Sequence, residues 1–149
     1  MVDESAFLVG IGAGRGACDL ELLPVHSDDH VVLLRKLVRE RAVQIRLSLV
    51  DQTKLVTAAS ELARNTLKYG GGGEARLKTV EHEQGQGVCL TLSDHGPGIV
   101  DVDLALTDGF TSGGGLGLGL GGAKRLVDAF HIVTAPGAGT TVTIVKWKR

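Results

Sequence analysis

The sequence predicts an α+β two-layer sandwich, with one mixed, mostly antiparallel sheet and helices over one face. Three observations lead there. Apolar residues recur at helical spacing along residues 28–49 and again along 52–69. Shorter β-type segments lie before and after them, with Val88, Leu90 and Leu92 alternating as a half-buried strand requires. Glycine- and proline-bearing turns punctuate the chain at residues 70–73, 84–85 and 136–139. At 149 residues, 43% of them hydrophobic, the chain has material for one well-cored domain and too little for two.

Taken in order, residues 1–16 are expected to be a flexible N-terminal extension and residues 17–149 the folded domain. The extension contains Gly12-x-Gly14-x-x-Ala17, an imitation of a dinucleotide fingerprint. Pro24 leaves no room for the helix that such a motif must open. Residues 18–25 read as a strand, and Ser27 or Asp28 caps the helix that follows. There Leu34, Val38, Ala42, Ile45 and Leu49 form the buried stripe, while Arg35, Lys36, Arg39 and Glu40 lie elsewhere on the surface. His26 and His30 are helix-start residues.

The second helix, 52–69, buries Leu55, Ala59, Leu62 and Thr66 and stops at the glycines 70–73. Glu61, Asn65 and Lys68 form a separate polar stripe on it, at about 100° per residue. Strands 74–83 and 87–94 make a hairpin around Gln84-Gly85. A mobile lid, 100–114, leads into the run GGGLGLGLGG at 113–122 and a helix at 123–130. Strands 131–135 and 140–148 close the chain on either side of Pro136-Gly137-Ala138-Gly139.

Sixteen basic against seventeen acidic residues give no global reason to expect nucleic acid or an anionic membrane as partner. The basic end Lys146-Trp147-Lys148-Arg149 reads as a solvated strand end. Cys18 and Cys89 fall in strand-like segments without metal-ligand spacing, which points to reduced structural thiols in a cytoplasmic protein. The start has no basic n-region, and no apolar run reaches membrane-spanning length.

Three polar devices carry the chemistry. The glycine run lets backbone approach a polyphosphate, and the helix after it offers N–H groups and the positive end of its dipole. Asp94-His95-Gly96-Pro97-Gly98-Ile99 ends a strand with a carboxylate suited to an exocyclic amine, followed by glycines against which a flat ring can lie. Adenine has both features. Asn65 offers an amide oxygen to Mg²⁺, a hard cation that also holds phosphate oxygens. Glu61, one turn earlier, is placed to take a proton from an attacking hydroxyl or water, and Lys68 to neutralise phosphate charge.

Together these residues resemble the GHKL ATPases, whose fold is the Bergerat type. Glu61-Leu-Ala-Arg-Asn65-Thr-Leu-Lys68-Tyr69 looks like the N box, and Asp94-His-Gly96-Pro-Gly98-Ile99 like the first glycine box. Gly117-Leu-Gly119 with Lys124-Arg-Leu-Val-Asp128 looks like the second, and Gly137-Ala-Gly139-Thr140 like the last motif. The resemblance implies ATP and Mg²⁺ as cofactors and Asn65 as metal ligand. It places Lys68, Asp94, Gly96, Gly98, Ile99, Thr140 and the segment Gly114, Gly115, Leu116, Gly117, Leu118 and Gly119 around the nucleotide.

Size separates the chain from relatives that couple ATP to a transducer domain, leaving the anti-sigma-factor and serine-kinase branch. Ser60-Glu-Leu-Ala-Arg-Asn65, Asp108-Gly-Phe-Thr-Ser112-Gly, Ala123-Lys-Arg-Leu-Val-Asp128 and Lys146-Trp147 resemble the RsbT-type switch kinases. The resemblance implies a protein serine/threonine kinase with Glu61 as base, since a serine hydroxyl is barely nucleophilic at its own pKa. It implies a STAS-domain phosphoacceptor, with a serine phosphatase or a sigma factor as further partner, and leaves a homodimer open. An RsbW-like anti-sigma factor that also phosphorylates its anti-anti-sigma factor is the alternative. The resemblance gives no counterpart for the extension and meets His95 where another polar residue is usual.

Overall fold

The computed structural model describes residues 19–83, 85–106 and 119–149. Cys18, the N-terminal extension, most of the predicted lid and residues 113–118 of the glycine run lie outside them.

The chain enters through β1 (Glu21–Val25) and turns at Ser27 into α1 (Asp28–Gln44). Ser27 is the cap: its backbone is extended, and its hydroxyl accepts the His30 N–H at 3.3 Å, with Asp28 and Asp29 in the first turn favouring the dipole. Val31, Leu34, Val38 and Ala42 form the buried stripe. Leu49 does not continue it. Arg46 sits at φ 63°, and the Leu47 N–H returns to the Ala42 carbonyl at 3.0 Å, which ends the helix with a left-handed residue. Ser48 then caps α2 (Leu49–Lys68), and Leu49 opens that helix 72% exposed. The period of four persists across the break by coincidence of spacing.

Along α2, Leu55, Ala59, Leu62 and Thr66 are buried as expected. Its end is set by glycine: Gly71 and Gly72 have φ of 74° and 99°, and the Gly72 N–H reaches the Thr66 carbonyl at 3.0 Å. β2 (Gly73–His82) and β3 (Gly85–Asp94) follow as the predicted hairpin. Its register pairs Ala75 with Leu92 and Leu77 with Leu90, so the inward rows meet.

A short helix, α3 (Val102–Ala105), stands within the segment predicted to be lid, capped by Asp101 through the Leu104 N–H at 3.0 Å. The last helix, α4 (Gly119–Arg125), begins inside the glycine run, and β4 (Ala129–Thr134) starts before the predicted helix would have ended. Phe130 pairs with Ile144 and Ile132 with Val142 on β5 (Thr140–Trp147). These alternating apolar partners place Ala129 and Phe130 in the sheet. The described strands run in the order β1-β2-β3-β5-β4, and every pairing is antiparallel.

The main core lies between the sheet and α1, α2 and α4, around Leu34, Leu55, Leu62, Leu77, Leu90 and Ile144. Two cations are buried with it. Arg41 on α1 pairs with Asp19 and Glu21 and donates to Thr79 Oγ1 at 3.3 Å, tying the approach to β1 onto the helix. Lys146 corrects the picture of a solvated strand end. It is 4% exposed, with its ammonium 3.5 Å from Asp51 and 3.6 Å from Asp128. Cys89 is a buried thiol. Among the described residues no helix is long and apolar enough to cross a membrane.

Candidate functional site

A cavity of about 470 Å³ opens between the C-terminal half of α2 and the loop that leaves β3, with α3 and the first turn of α4 at its sides. Leu62, Leu92 and Val142 make its apolar base, and Asn65, Asp94 and Thr140 contribute its polar groups. That volume and that mixture suit a small organic ligand whose orientation is fixed by a few polar contacts.

Asp94 is the last residue of β3, so the sheet itself fixes its position. Its Oδ1 accepts two backbone N–H bonds, from Gly96 at 2.9 Å and from Thr140 at 3.2 Å. The second bond crosses to the first residue of β5, paired with Asp94 in the sheet. No donor among the described residues reaches Oδ2. One oxygen is thus committed to holding the carboxylate, and the other remains an acceptor.

The surrounding backbone is packed too closely for side chains. A β-carbon on Gly98, whose φ is 75°, would stand 2.0 Å from the Ala135 carbonyl oxygen, and one on Gly139, at φ 78°, would stand 2.2 Å from that of Asp94. Thr134 joins the two loops. Its hydroxyl accepts the Ile99 N–H at 2.9 Å, donates to the Gly139 carbonyl at 3.0 Å and lies 2.9 Å from Thr140 Oγ1. The Gly137 N–H adds a bond to the Pro97 carbonyl at 2.7 Å. Residues 94–99 are therefore clamped to the β4–β5 turn.

Of the sequence-predicted site residues, the structure gathers Asn65, Asp94, Gly98, Ile99, Gly119 and Thr140 around this cavity. Gly96 is not in its lining but donates its N–H to Asp94. Two others do not line it. Glu61 is 12% exposed and bonded to Arg64 Nη1 at 3.0 Å, and Lys68 is exposed, with its ammonium 5.2 Å from the centre of the Tyr69 ring. Gly114, Gly115, Leu116, Gly117 and Leu118 lie outside the described residues. Tyr69, Gly70 and Thr134 were missed by the sequence reading. Tyr69 closes the N-box stretch and Gly70 follows it, and Thr134 is legible only once β4 and β5 are paired, because it then faces Thr140.

Asn65 offers one hard oxygen, and among the described residues no group of three or more His, Cys, Asp or Glu side chains could hold a metal alone. Such a donor set fits Mg²⁺, which takes one or two protein oxygens and completes its shell with phosphate and water. It does not fit a structural zinc. The site can receive a flat base with an exocyclic amine at Asp94 and direct a charged tail toward Asn65.

The family model for histidine kinase-, DNA gyrase B- and HSP90-like ATPases matches residues 50–149, the stretch that carries every predicted site residue. The chain is 37% identical over 131 residues to the serine/threonine-protein kinase RsbT of Bacillus subtilis, spanning 88% of this chain and 98% of that one. It is 32% identical over 110 residues to the anti-sigma F factor of Pasteuria penetrans, spanning 69% and 73%. In fold it is similar to the RsbU and RsbW domains of Rv1364c from Mycobacterium tuberculosis, with a TM-score of 0.59 at 20% identity, covering 86% of this chain and 32% of that one.

Proposed function

The chain belongs to the histidine kinase-, DNA gyrase B- and HSP90-like ATPase family, and on that premise we propose that it is a Mg²⁺-ATP-dependent protein serine/threonine kinase that phosphorylates a STAS-domain antagonist in a bacterial partner-switching pathway. The observation that carries the reading is the half-committed Asp94 carboxylate lining one cavity with Asn65. The likeness to RsbT supports the choice of a hydroxyl as phosphoacceptor.

Asp94 Oδ2 accepts the adenine amine, and the glycine-bearing loop at Gly98 lets the base lie against backbone. The ring selects by its hydrogen-bonding edge, since guanine presents a carbonyl where adenine presents the amine. The triphosphate extends toward Asn65, with Lys68 and the backbone of residues 114–119 receiving its charge. Asn65 would hold Mg²⁺, which would neutralise phosphate charge.

Transfer forms a bond between the acceptor oxygen and the γ-phosphorus and breaks the bridge to the β-phosphate. Glu61 takes the hydroxyl proton, and ADP leaves. The chain contributes mostly position and electrostatics, as phosphoryl transfer demands. Residues 17–149 constitute the kinase domain and residues 1–16 an extension to it. The protein works in the cytoplasm, with a serine phosphatase as further partner and a homodimer as one form of assembly.

The likeness to an anti-sigma factor favours a second reading, in which sequestering a sigma factor is the output and phosphorylation releases it. Incubation with γ-labelled ATP, Mg²⁺ and a candidate STAS protein tests the first. Acid-stable phosphate on a serine or threonine is expected. Absence of transfer, or acid-labile phosphate, overturns it, and recovery of a sigma subunit in place of STAS proteins in a pull-down selects the second reading.

A further inference from the structure

The solvent side of α1 carries a stripe that the core does not use. Val32, Lys36, Arg39 and Val43 recur at spacings of four, three and four, with Arg35 beside Lys36, so they share one face over three turns, about 16 Å. Val32 and Val43 are 63% and 54% exposed. Between α1 and α2 this stripe borders a shallow groove floored by Val56, where Glu40 is the one carboxylate in the lining. Among the described residues no carboxylate pairs with Arg35 or Lys36, and Arg39 spends a single N–H on Gln52 Oε1 at 3.3 Å.

Three cations against one carboxylate therefore stand between two exposed valines on a chain whose net charge is −1. We infer that this groove docks an acidic amphipathic helix of a partner protein. Its apolar residues run along Val32, Val56 and Val43, and its carboxylates meet Arg35, Lys36 and Arg39. The geometry is that of a helix laid in a groove and read at successive turns. Charge complementarity steers the encounter and fixes the direction of the helix.

The lining argues against the other anionic surfaces. It has no aromatic side chain for a base to stack on, and its valines would meet a sugar-phosphate chain with nothing apolar to bury. A membrane-binding face carries large apolar or aromatic anchors, and this one has valines and an acid. None of these residues lines the nucleotide cavity, so the inference stands or falls separately from the kinase reading.

The test is selection of a displayed library of helix-stabilised 14-residue peptides on the full chain, followed by affinity measurement on two variants. One is the triple reversal Arg35→Glu, Lys36→Glu, Arg39→Glu, and the other is Val32→Ser with Val43→Ser. Enriched peptides are expected to carry Asp or Glu beside aliphatic residues at i, i+4 and i+7. Each variant is expected to weaken them at least about tenfold while melting as the parent does, and added salt should weaken binding to the parent. Enrichment of neutral or basic peptides, or affinity for either variant equal to the parent's, overturns the proposal. So does tighter binding of a DNA duplex or phosphatidylserine vesicles lost in the triple variant, or a dimer that this variant dissociates.

Discussion

Gly70 lies against the side chain of Asp94: a β-carbon on Gly70 would stand 2.3 Å from Asp94 Cγ and 2.5 Å from Oδ2. Gly70 needs no unusual backbone angle, so the requirement is for space. Gly96 is stacked on it in turn, its absent β-carbon 2.7 Å from the Gly70 α-carbon. Gly70→Ala must therefore push the carboxylate off its two N–H donors or into the cavity. Adenine-nucleotide affinity is expected to fall by about tenfold or more, some 1.4 kcal/mol, with little loss of helix content. Calorimetric titration with ATP measures it, and a dissociation constant within twofold of the parent would show that the contact does not set the pocket.

Asp94→Asn separates scaffold from recognition. The amide oxygen can keep the Gly96 and Thr140 N–H bonds, so the clamp and the melting temperature should survive. The amide nitrogen then replaces the free acceptor with a donor, setting N–H against N–H at the adenine amine. Burying such a mismatch costs about 1–3 kcal/mol, so ATP affinity should drop by one to two decades while GTP is affected less. Competition of the two nucleotides for the site reads this directly. An unchanged preference for ATP removes Asp94 from base recognition.

Much of this arrangement was legible in the sequence because the signals are local. Ser27 and the turn glycines each act within a few residues, and the structure places them as read, whereas the strand of Val88, Leu90 and Leu92 is not half-buried as its alternation predicts: Cys89 and Thr91 between them are also buried, each 1% exposed. Glu61, Asn65 and Lys68 share a stripe as their spacing dictates, yet Asn65 lines the cavity while Glu61 and Lys68 do not. Helical spacing gives an angle around the axis and says nothing of what stands opposite. Thr134 and Gly70 matter through partners 5 to 35 residues away in sequence, contacts that exist only once the sheet is paired. Lys146 was misread because a terminal basic cluster looks solvated until Asp51 and Asp128 close over it.

That buried ammonium joins the first turn of α2 to the turn after α4. Asp128 also receives the Trp147 N–H at 2.7 Å and the Arg149 guanidinium, so it remains satisfied if Lys146 is lost, whereas Asp51 loses its described ion pair. Lys146→Met keeps the stem and deletes the charge. The expected cost is about 1–3 kcal/mol of stability, visible as a lower urea midpoint at unchanged slope. A midpoint equal to the parent's would mean that solvent already screens Asp51.

The pair formed by Glu61 and Arg64 decides whether the proposed base is available. Arg64 is exposed and three residues away on the same helix, and such pairs contribute little to stability and open readily. Arg64→Ala is therefore expected to leave melting unchanged and the transfer rate within about threefold, because the pair is a resting contact for the carboxylate. Glu61→Gln preserves shape and removes the basic oxygen. It should retain ATP affinity and lower kcat by about 10²–10⁴-fold, the range that general-base assistance supplies. Single-turnover transfer to a STAS acceptor distinguishes the two variants. Transfer by Glu61→Gln at the parental rate would assign the proton to solvent and leave the side chain a role in helix surface pairing alone.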